Sequence, residues 1–231
     1  SSPQQVVAGC LAGTAYDCGG YLCNVDVVYS GNDNSFALLG DGPYKGMVVA
    51  WGGNGQSGQY ASSLGDGTKT NKSAPVWCLT GPNQKITNIV QIYASADVNL
   101  FLDSAGHCWA EGGYAKNKIT GRDVSTTSRD YMGMVTLENG SPLSNIVQMA
   151  AGDVCSYALD SDGYVWAWGD GGWNNCATGT NNESPARPKR FVAGAVDEPG
   201  DSDGTYLLAK SIGGGQSSGF AVTPNGNPVM W

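Results

Sequence analysis

Histidine, basic residues and long apolar runs are all scarce in this chain. His107 is the sole imidazole among 231 residues. Nucleophilic sites of the Ser-His or Cys-His kind need an imidazole beside the nucleophile. His107 follows Gly106 in a turn-like stretch, which fits a turn or surface role. Twelve Lys and Arg stand against twenty Asp and Glu, a formal net charge of -8. Such a surface repels phosphate backbones. The one dense basic group, Arg187, Lys189 and Arg190 around Pro188, is too small to reverse this and reads as a solvated loop face. Nucleic acid is therefore not expected as a partner; cationic proteins or divalent ions fit the charge better. No apolar run reaches the roughly 20 residues of a membrane-spanning helix. No segment sustains a 3.6-residue period, which predicts almost no helix. There is no Gly-x-Ser-x-Gly elbow. Gly53, Gly55 and Gly58 precede no helix that would receive a phosphate, so they read as turn glycines. The chain opens at Ser1-Ser2-Pro3 without a leader-like segment or Met, which is the expectation for a trimmed product.

Glycine is what the chain has most of, 35 copies, with eleven Tyr and seven Trp. That mixture suits short strands joined by tight turns, because Gly permits positive φ and aromatic rings fill a half-buried pleated surface. The glycines show no three-residue period, which excludes collagen.

Seven cysteines are unusual for a reducing compartment. Cys10, Cys18 and Cys23 crowd the first segment, while Cys78, Cys108, Cys155 and Cys176 are dispersed. Disulfides are expected, and the odd count leaves at least one thiol free or paired with another chain. Zinc would need a second close pair after Cys18 and Cys23, or histidines, and neither is present. An oxidising, extracellular or cell-surface location follows as the expectation.

Aligned with itself, the chain repeats. Val25 to Gly42 reads VDVVYSGNDNSFALLGDG; Thr87 to Gly112 reads TNIVQIYASADVNLFLDSAGHCWAEG. Ser144 to Gly169 reads SNIVQMAAGDVCSYALDSDGYVWAWG, and Ala209 to Trp231 reads AKSIGGGQSSGFAVTPNGNPVMW. Val28, Val90, Val147 and Ser211 are matched positions in this alignment. Each unit predicts an apolar strand, a turn, an alternating strand, a tight turn such as Asp162-Gly163 or Asn225-Gly226, and a third strand. Approximate repeats are 25–86, 87–143, 144–208, and 209–231 together with 1–24. Each hairpin has an apolar face that only a stacked neighbour can cover.

A second half also recurs. Trp51-Gly52-Gly53-Asn54-Gly55-Gln56-Ser57-Gly58-Gln59 leads to Gly65-Asp66-Gly67-Thr68 and then Ser73-Ala74-Pro75-Val76. In the third repeat the order returns as Trp168-Gly169-Asp170, Thr178-Gly179-Thr180 and Glu183-Ser184-Pro185. This ordered set resembles the repeat of the regulator of chromosome condensation family, in a divergent, secreted-type form, over nearly the whole chain. The resemblance implies an all-β, β-propeller fold, and the self-alignment gives about four repeats of roughly 60 residues in a single domain, 1–231. The family's usual ring has seven blades, and its Gly-x-x-His-Ser at the second strand is absent here. Ser2-Pro3-Gln4-Gln5-Val6-Val7 resembles the tail of a repeat, and Trp231 matches Trp51 and Trp168. Three arrangements are open: a small ring closed by pairing of the N- and C-terminal segments, a piece of a larger ring, or a ring completed by a second chain.

Candidate sites are few. Asp160 and Asp162 flank a hairpin and read as turn chemistry. Asp197, Asp201 and Asp203 offer oxygen ligands for calcium but lack the spacing of an EF-hand; a solvated acidic loop is the plainer reading. Trp166 and Trp168, two apart on one strand, share a face wedged between blades. Trp173, Tyr60, Tyr114 and Tyr131 fall in loops, where they either serve as contact points for a protein or for sugar faces or close over loop glycines. The expected function is a non-enzymatic interaction or assembly module, such as a surface-structure subunit, adhesin or inhibitor. Its partner is another protein or copies of itself. A carbohydrate-binding module is the alternative, and a polysaccharide-active enzyme a remote one. No catalytic residue or cofactor is expected.

Overall fold

The computed structural model describes residues 2–54, 64–95, 98–112, 117–122, 130–170, 176, 185–194, 200–215 and 218–231. It is all-β apart from two short 3-10 turns, Gly9–Leu11 and Asn117–Thr120. Sheet 1 contains β1 (Val25–Ser30), β2 (Asn34–Leu39), β3 (Val48–Gly52) and β4 (Lys72–Trp77). A small hairpin, β5 (Leu79–Gly81) and β6 (Gln84–Lys85), follows. Sheet 2 contains β7 (Ile89–Ala94), β8 (Val98–Asp103), β9 (Cys108–Gly112) and β10 (Gly133–Met134). Sheet 3 contains β11 (Ile146–Ala151), β12 (Cys155–Asp160), β13 (Val165–Gly169) and β14 (Lys189–Arg190). Sheet 4 has three strands, β15 (Ser211–Gly214), β16 (Gly219–Val222) and β17 (Pro228–Met230). Each sheet is an antiparallel meander in chain order.

Alternation along the strands gives every sheet two apolar faces, and the core lies between successive sheets. Phe36, Leu38 and Ala50 of sheet 1 pack on Ile92 and Phe101 of sheet 2. Leu100, Leu102 and Ala110 of sheet 2 pack on Met149 and Trp168 of sheet 3. Tyr157, Leu159 and Ala167 of sheet 3 pack on Ile212 and Ala221 of sheet 4. Trp166 joins the cluster of Trp168, as two residues two apart on one strand must.

Two local devices recur. The residue before the first strand is Asn24, Asn88 or Asn145, each at positive φ, near 60°. Asn tolerates this left-handed conformation better than other side-chain-bearing residues. Its carbonyl accepts the N–H of Gly40, Ser104 or Ser161, which ties the strand to the hairpin of its own sheet. The Gly after the third strand's last large residue explains the recurrent Trp-Gly. Gly52 and Gly169 have φ of +106° and +136°. A Cβ there would lie 2.4 Å from the Asp33 carbonyl oxygen or 2.3 Å from that of Val154.

One expectation is corrected by strand pairing. Ser30, Ala94, Ala151 and Gly214 face equivalent partners across their turns, which aligns Val28 with Ile92, Met149 and Ile212. The Val28–Val90–Val147–Ser211 match is therefore out of register in its first and last members. Apolar residues on both sides of Asp26 made the slip invisible in the sequence. Leu11 and Tyr16 pack on Ala37, Leu39 and Val49, so the N-terminal segment covers the outward face of sheet 1. Tyr16 donates to the Gly40 carbonyl and receives the Tyr44 N–H. Among the described residues no apolar cluster joins sheet 4 to sheet 1.

Candidate protein-binding surface

The hairpins β2–β3, β8–β9, β12–β13 and β16–β17 lie on one side of the sheets, together with the connections from each sheet to the next. The opposite side carries the β1–β2 type turns and the long segments after β3, β9 and β13. The placement follows from the antiparallel meander, and Gly53 N–H donating to Asp33 and Asp170 N–H to Val154 fasten the segments after β3 and β13 to a turn.

The long segment of sheet 1 is organised by buried Asn54. Its amide donates to Asp66 Oδ1 (2.9 Å), Thr68 Oγ1 (3.2 Å) and the Thr70 carbonyl (3.1 Å), and its oxygen accepts the Leu64 N–H (2.9 Å). Burial pushes the Asp66 carboxyl up, but the Thr68 hydroxyl, the Asn54 amide and Lys72, 3.2 Å away, hold it below its ordinary value. The motif Gly-x-Asn followed by Gly-Asp-Gly-Thr is thus a loop latch. Tyr131 belongs to the same assembly. Its backbone bridges Asp66, its ring covers Gly67, and its carbonyl accepts the Arg122 guanidinium. It is half-buried and holds the loop together. Trp173, Tyr60 and Tyr114 lie outside the described residues.

The hairpin side repeats a carboxylate device. Asp160 Oδ1 accepts the N–H groups of Asp162 and Tyr164, and Oδ2 accepts the Trp166 indole at 2.8 Å. Asp103 accepts from Ala105 and His107 N–H and from the Trp109 indole at 3.0 Å. His107 lies in that hairpin with Nδ1 3.3 Å from Asp103. Burial pushes the Asp103 carboxyl up, yet the donors from Trp109, His107 and Ala105 outweigh it and hold it low.

Beside these hairpins, two cations lie on aromatic faces. The Arg190 guanidinium sits 3.8 Å from the centre of the Tyr164 ring, with Trp166 at 5.4 Å and Tyr206 at 5.6 Å. Lys85 Nζ lies 3.9 Å from the Trp77 ring and 4.9 Å from Tyr44. Strand register makes Trp77 and Arg190 equivalent: each pairs with the same position of its third strand, Val49 or Trp166. All seven side chains are half-buried. Sequence reading separated Arg190 from the aromatics and grouped it with Arg187. In the structure Arg187 turns away to Thr136 Oγ1, 2.6 Å. Only the β13–β14 register reveals which basic residue meets the rings.

The remaining acidic candidates are held by turns. Buried Asp201 accepts the Asn225 N–H and the Asn227 amide, and exposed Asp203 accepts the Thr205 and Tyr206 N–H groups. Asp197 lies outside the described residues. Among the described residues no three His, Cys, Asp or Glu side chains group as metal ligands. Cysteines pair as Cys18–Cys23 and Cys155–Cys176. Cys10 is an exposed thiol; Cys78 and Cys108 are buried thiols within the core.

No protein-family model matches the sequence. Protein pim1 of Schizosaccharomyces pombe is 28% identical over 215 residues, 88% of this chain and 36% of that protein. Human WBSCR16 superposes with a TM-score of 0.67 at 21% identity, over 93% of this chain and 48% of that one. Yeast RCC1 (Prp20), solved bound to Kap60, gives 0.64 at 22% identity, over 89% and 41%. Prp20p from Saccharomyces cerevisiae, described with its binding properties to Gsp1p and histones, gives 0.56 at 22% identity over 88% and 45%. The chain spans about a third to a half of the length of these proteins. Its fold is that of an RCC1-type propeller, with each sheet one blade.

These neighbours correct the expected location. A secreted, cell-surface or adhesion protein does not fit propellers described with Kap60, Gsp1p and histones. The cysteine count had carried that expectation. Four of the seven pair as the expected disulfides, and two, Cys78 and Cys108, are buried core thiols.

Proposed function

We propose that this chain is a non-catalytic protein-binding scaffold whose hairpin side is the contact surface. The observation that carries the reading is the pair of cation–aromatic stacks, Arg190 on Tyr164, Trp166 and Tyr206, and Lys85 on Trp77 and Tyr44. Tyr, Trp and Arg dominate binding energy at protein interfaces, because large rigid rings desolvate well and guanidinium groups form directional bonds. Holding each cation on a ring fixes its rotamer before a partner arrives, which lowers the entropy lost on binding. The acidic balance of the chain, -8, favours a basic partner or a basic patch on one. Gsp1p and histones, named for Prp20p, are the probes this reading selects.

The test is the affinity of chain 1–231 for Gsp1p and for core histones, measured by biolayer interferometry at two salt concentrations. At least one probe binds, and Tyr206→Ala combined with Arg190→Ala weakens it at least tenfold with the circular dichroism spectrum unchanged. Absence of binding to both probes, or equal affinity of the double variant, refutes the reading.

A further inference from the structure

Three Asn-Gly pairs occur in the chain, Asn54-Gly55, Asn139-Gly140 and Asn225-Gly226. An asparagine before glycine is open to attack on its own side chain, because the next backbone nitrogen belongs to a residue with no Cβ to hinder the approach. How readily the attack proceeds depends on how each amide is held, and the fold holds the three differently. Asn54 is buried, and its amide is taken up by Asp66, Thr68, Thr70 and Leu64. Asn225 is fastened from outside its turn. Its N–H donates to buried Asp201 Oδ1 at 3.1 Å, and Oδ2 of the same carboxylate accepts the Asn227 amide at 3.0 Å. A carboxylate there opposes any second negative charge on the neighbouring side chain.

Asn139 is exposed, as are Glu138, Gly140 and Ser141. Among the described residues, turn 137–141 is closed only by bonds within itself: Gly140 N–H to the Leu137 carbonyl and Leu137 N–H to the Ser141 carbonyl. Asn139 Oδ1 accepts the Ser141 N–H at 3.0 Å and the Ser141 hydroxyl at 2.6 Å. A bond from Oδ1 to the N–H two residues on folds the side chain over the intervening nitrogen, that of Gly140. The same two donors face the oxygen on which charge develops when that nitrogen attacks Cγ. A Cβ built on Gly140 would meet nothing within 4 Å, so water reaches the turn freely.

We infer that Asn139 is a site of spontaneous conversion to aspartate and isoaspartate, activated by Ser141. Opening of the Gly140–Leu137 bond lets hydroxide remove the Gly140 N–H proton. The nitrogen forms a bond to Cγ, the Cγ–Nδ2 bond breaks, and ammonia leaves with a proton from water. Water then opens the cyclic imide at Cγ to give aspartate, or at the main-chain carbonyl to give isoaspartate. One water is consumed and one ammonia released, with no change of oxidation state. The turn belongs to the connection between sheets 2 and 3. Leu143 N–H donates to Val135 there as Ile86 does to Cys78 and Leu207 to Phe191. Thr136 opposite Pro142 therefore corresponds to Leu79 opposite Lys85 and to Val192 opposite Tyr206. Lys85 and Tyr206 belong to the two cation–aromatic stacks, so the new negative charge arises on the connection between them. Its effect on a partner rests on the proposed contact surface; the chemistry itself does not.

The test is to age chain 1–231 at mildly alkaline pH, digest it at mildly acidic pH, and follow each Asn-Gly peptide by mass spectrometry for a gain of one mass unit. A protein isoaspartate methyltransferase marks the isoaspartate. In chain unfolded by guanidinium, the three peptides are expected to convert at similar rates. In the folded chain Asn54 and Asn225 are expected to slow at least tenfold and Asn139 by less than about threefold, since local opening sets the rate. Ser141→Ala is expected to slow folded Asn139 about fivefold, the effect of losing one exposed neutral hydrogen bond, with an unchanged circular dichroism spectrum. Ser141→Thr, which keeps the hydroxyl, is expected to restore the rate. Equal slowing at all three sites overturns the inference. A rate at Asn139 that Ser141→Ala leaves unchanged or raises overturns it equally.

Discussion

Replacing Asp160 tests whether the recurrent Asp-x-x-Gly-x-x-Trp spacing is a folding device. The carboxylate is buried and accepts three hydrogen bonds, from Asp162 N–H at 3.1 Å, Tyr164 N–H at 2.9 Å and the Trp166 indole at 2.8 Å. Hydrogen bonds to a charged acceptor contribute about 1.5–3 kcal/mol each in single deletions, and neighbours sharing one group are not additive. Asp162 is exposed, so water replaces its lost partner. Asp160→Ala is therefore expected to cost about 3 kcal/mol, most of it from the indole and Tyr164 donors. Asp160→Asn keeps an oxygen toward the turn amides but aims an amide N–H at the indole N–H. It is expected to cost about 2 kcal/mol, and Trp166→Phe alone about 1 kcal/mol. In the double variant the facing donors are gone, so the pair is expected to cost less than its sum by about 1 kcal/mol. Urea denaturation followed by circular dichroism gives all four values. A shift below about 0.5 kcal/mol for Asp160→Ala, or strict additivity, would refute the device.

The sibling site adds a pH dependence. Because the folded Asp103 carboxyl is held below its ordinary value, its contribution is fully present above the unfolded pKa near 3.9 and is lost as pH falls below it. Asp103→Asn should flatten the acid limb of a stability profile measured between about pH 5 and 2, and an unchanged limb would contradict the assignment. Breaking Cys155–Cys176, which closes a separation of 21 residues, should lower stability by about 3 kcal/mol, read as a fall in thermal midpoint for Cys155→Ser with Cys176→Ser. Gly169→Ala should cost more than about 2 kcal/mol, since positive φ and a Cβ 2.3 Å from the Val154 carbonyl oxygen act together. A denaturation midpoint equal to wild type would remove that account of the Trp-Gly motif. Asn54→Ala should free the segment it latches, seen as faster amide exchange at Leu64 and Thr70, whereas unchanged exchange would deny it a latching role.

Strand order was legible in the sequence because Asp-Gly and Asn-Gly turns recur and a Trp-Gly pair marks the end of β3 and of β13. Positive-φ glycines and short hairpins leave strong local marks. The register of sheet 1 was not legible, since Val25, Val27 and Val28 offer apolar residues on both faces and only pairing with Leu39 and Ala37 decides between them. The cover of sheet 1 by Leu11 and Tyr16 depends on contacts distant along the chain, which composition cannot order. Cys18 with Cys23 is close enough to suggest itself, but Cys155 with Cys176 depends on where a long segment returns. Of the four loop aromatics only Tyr131 lies within the described residues, and its ring covers Gly67. The rings that gather cations, Tyr164 beside β13 and Trp77 on β4, are not among those loop aromatics.

Hydrogen exchange of chain 1–231 with and without a bound protein partner tests the central claim most directly. Protection is expected in the hairpin-side segments 40–47, 161–164 and 203–206, which carry or adjoin the two cation–aromatic stacks. Protection confined to the opposite turns, 31–34 and 152–155, or spread over no segment at all, would contradict it.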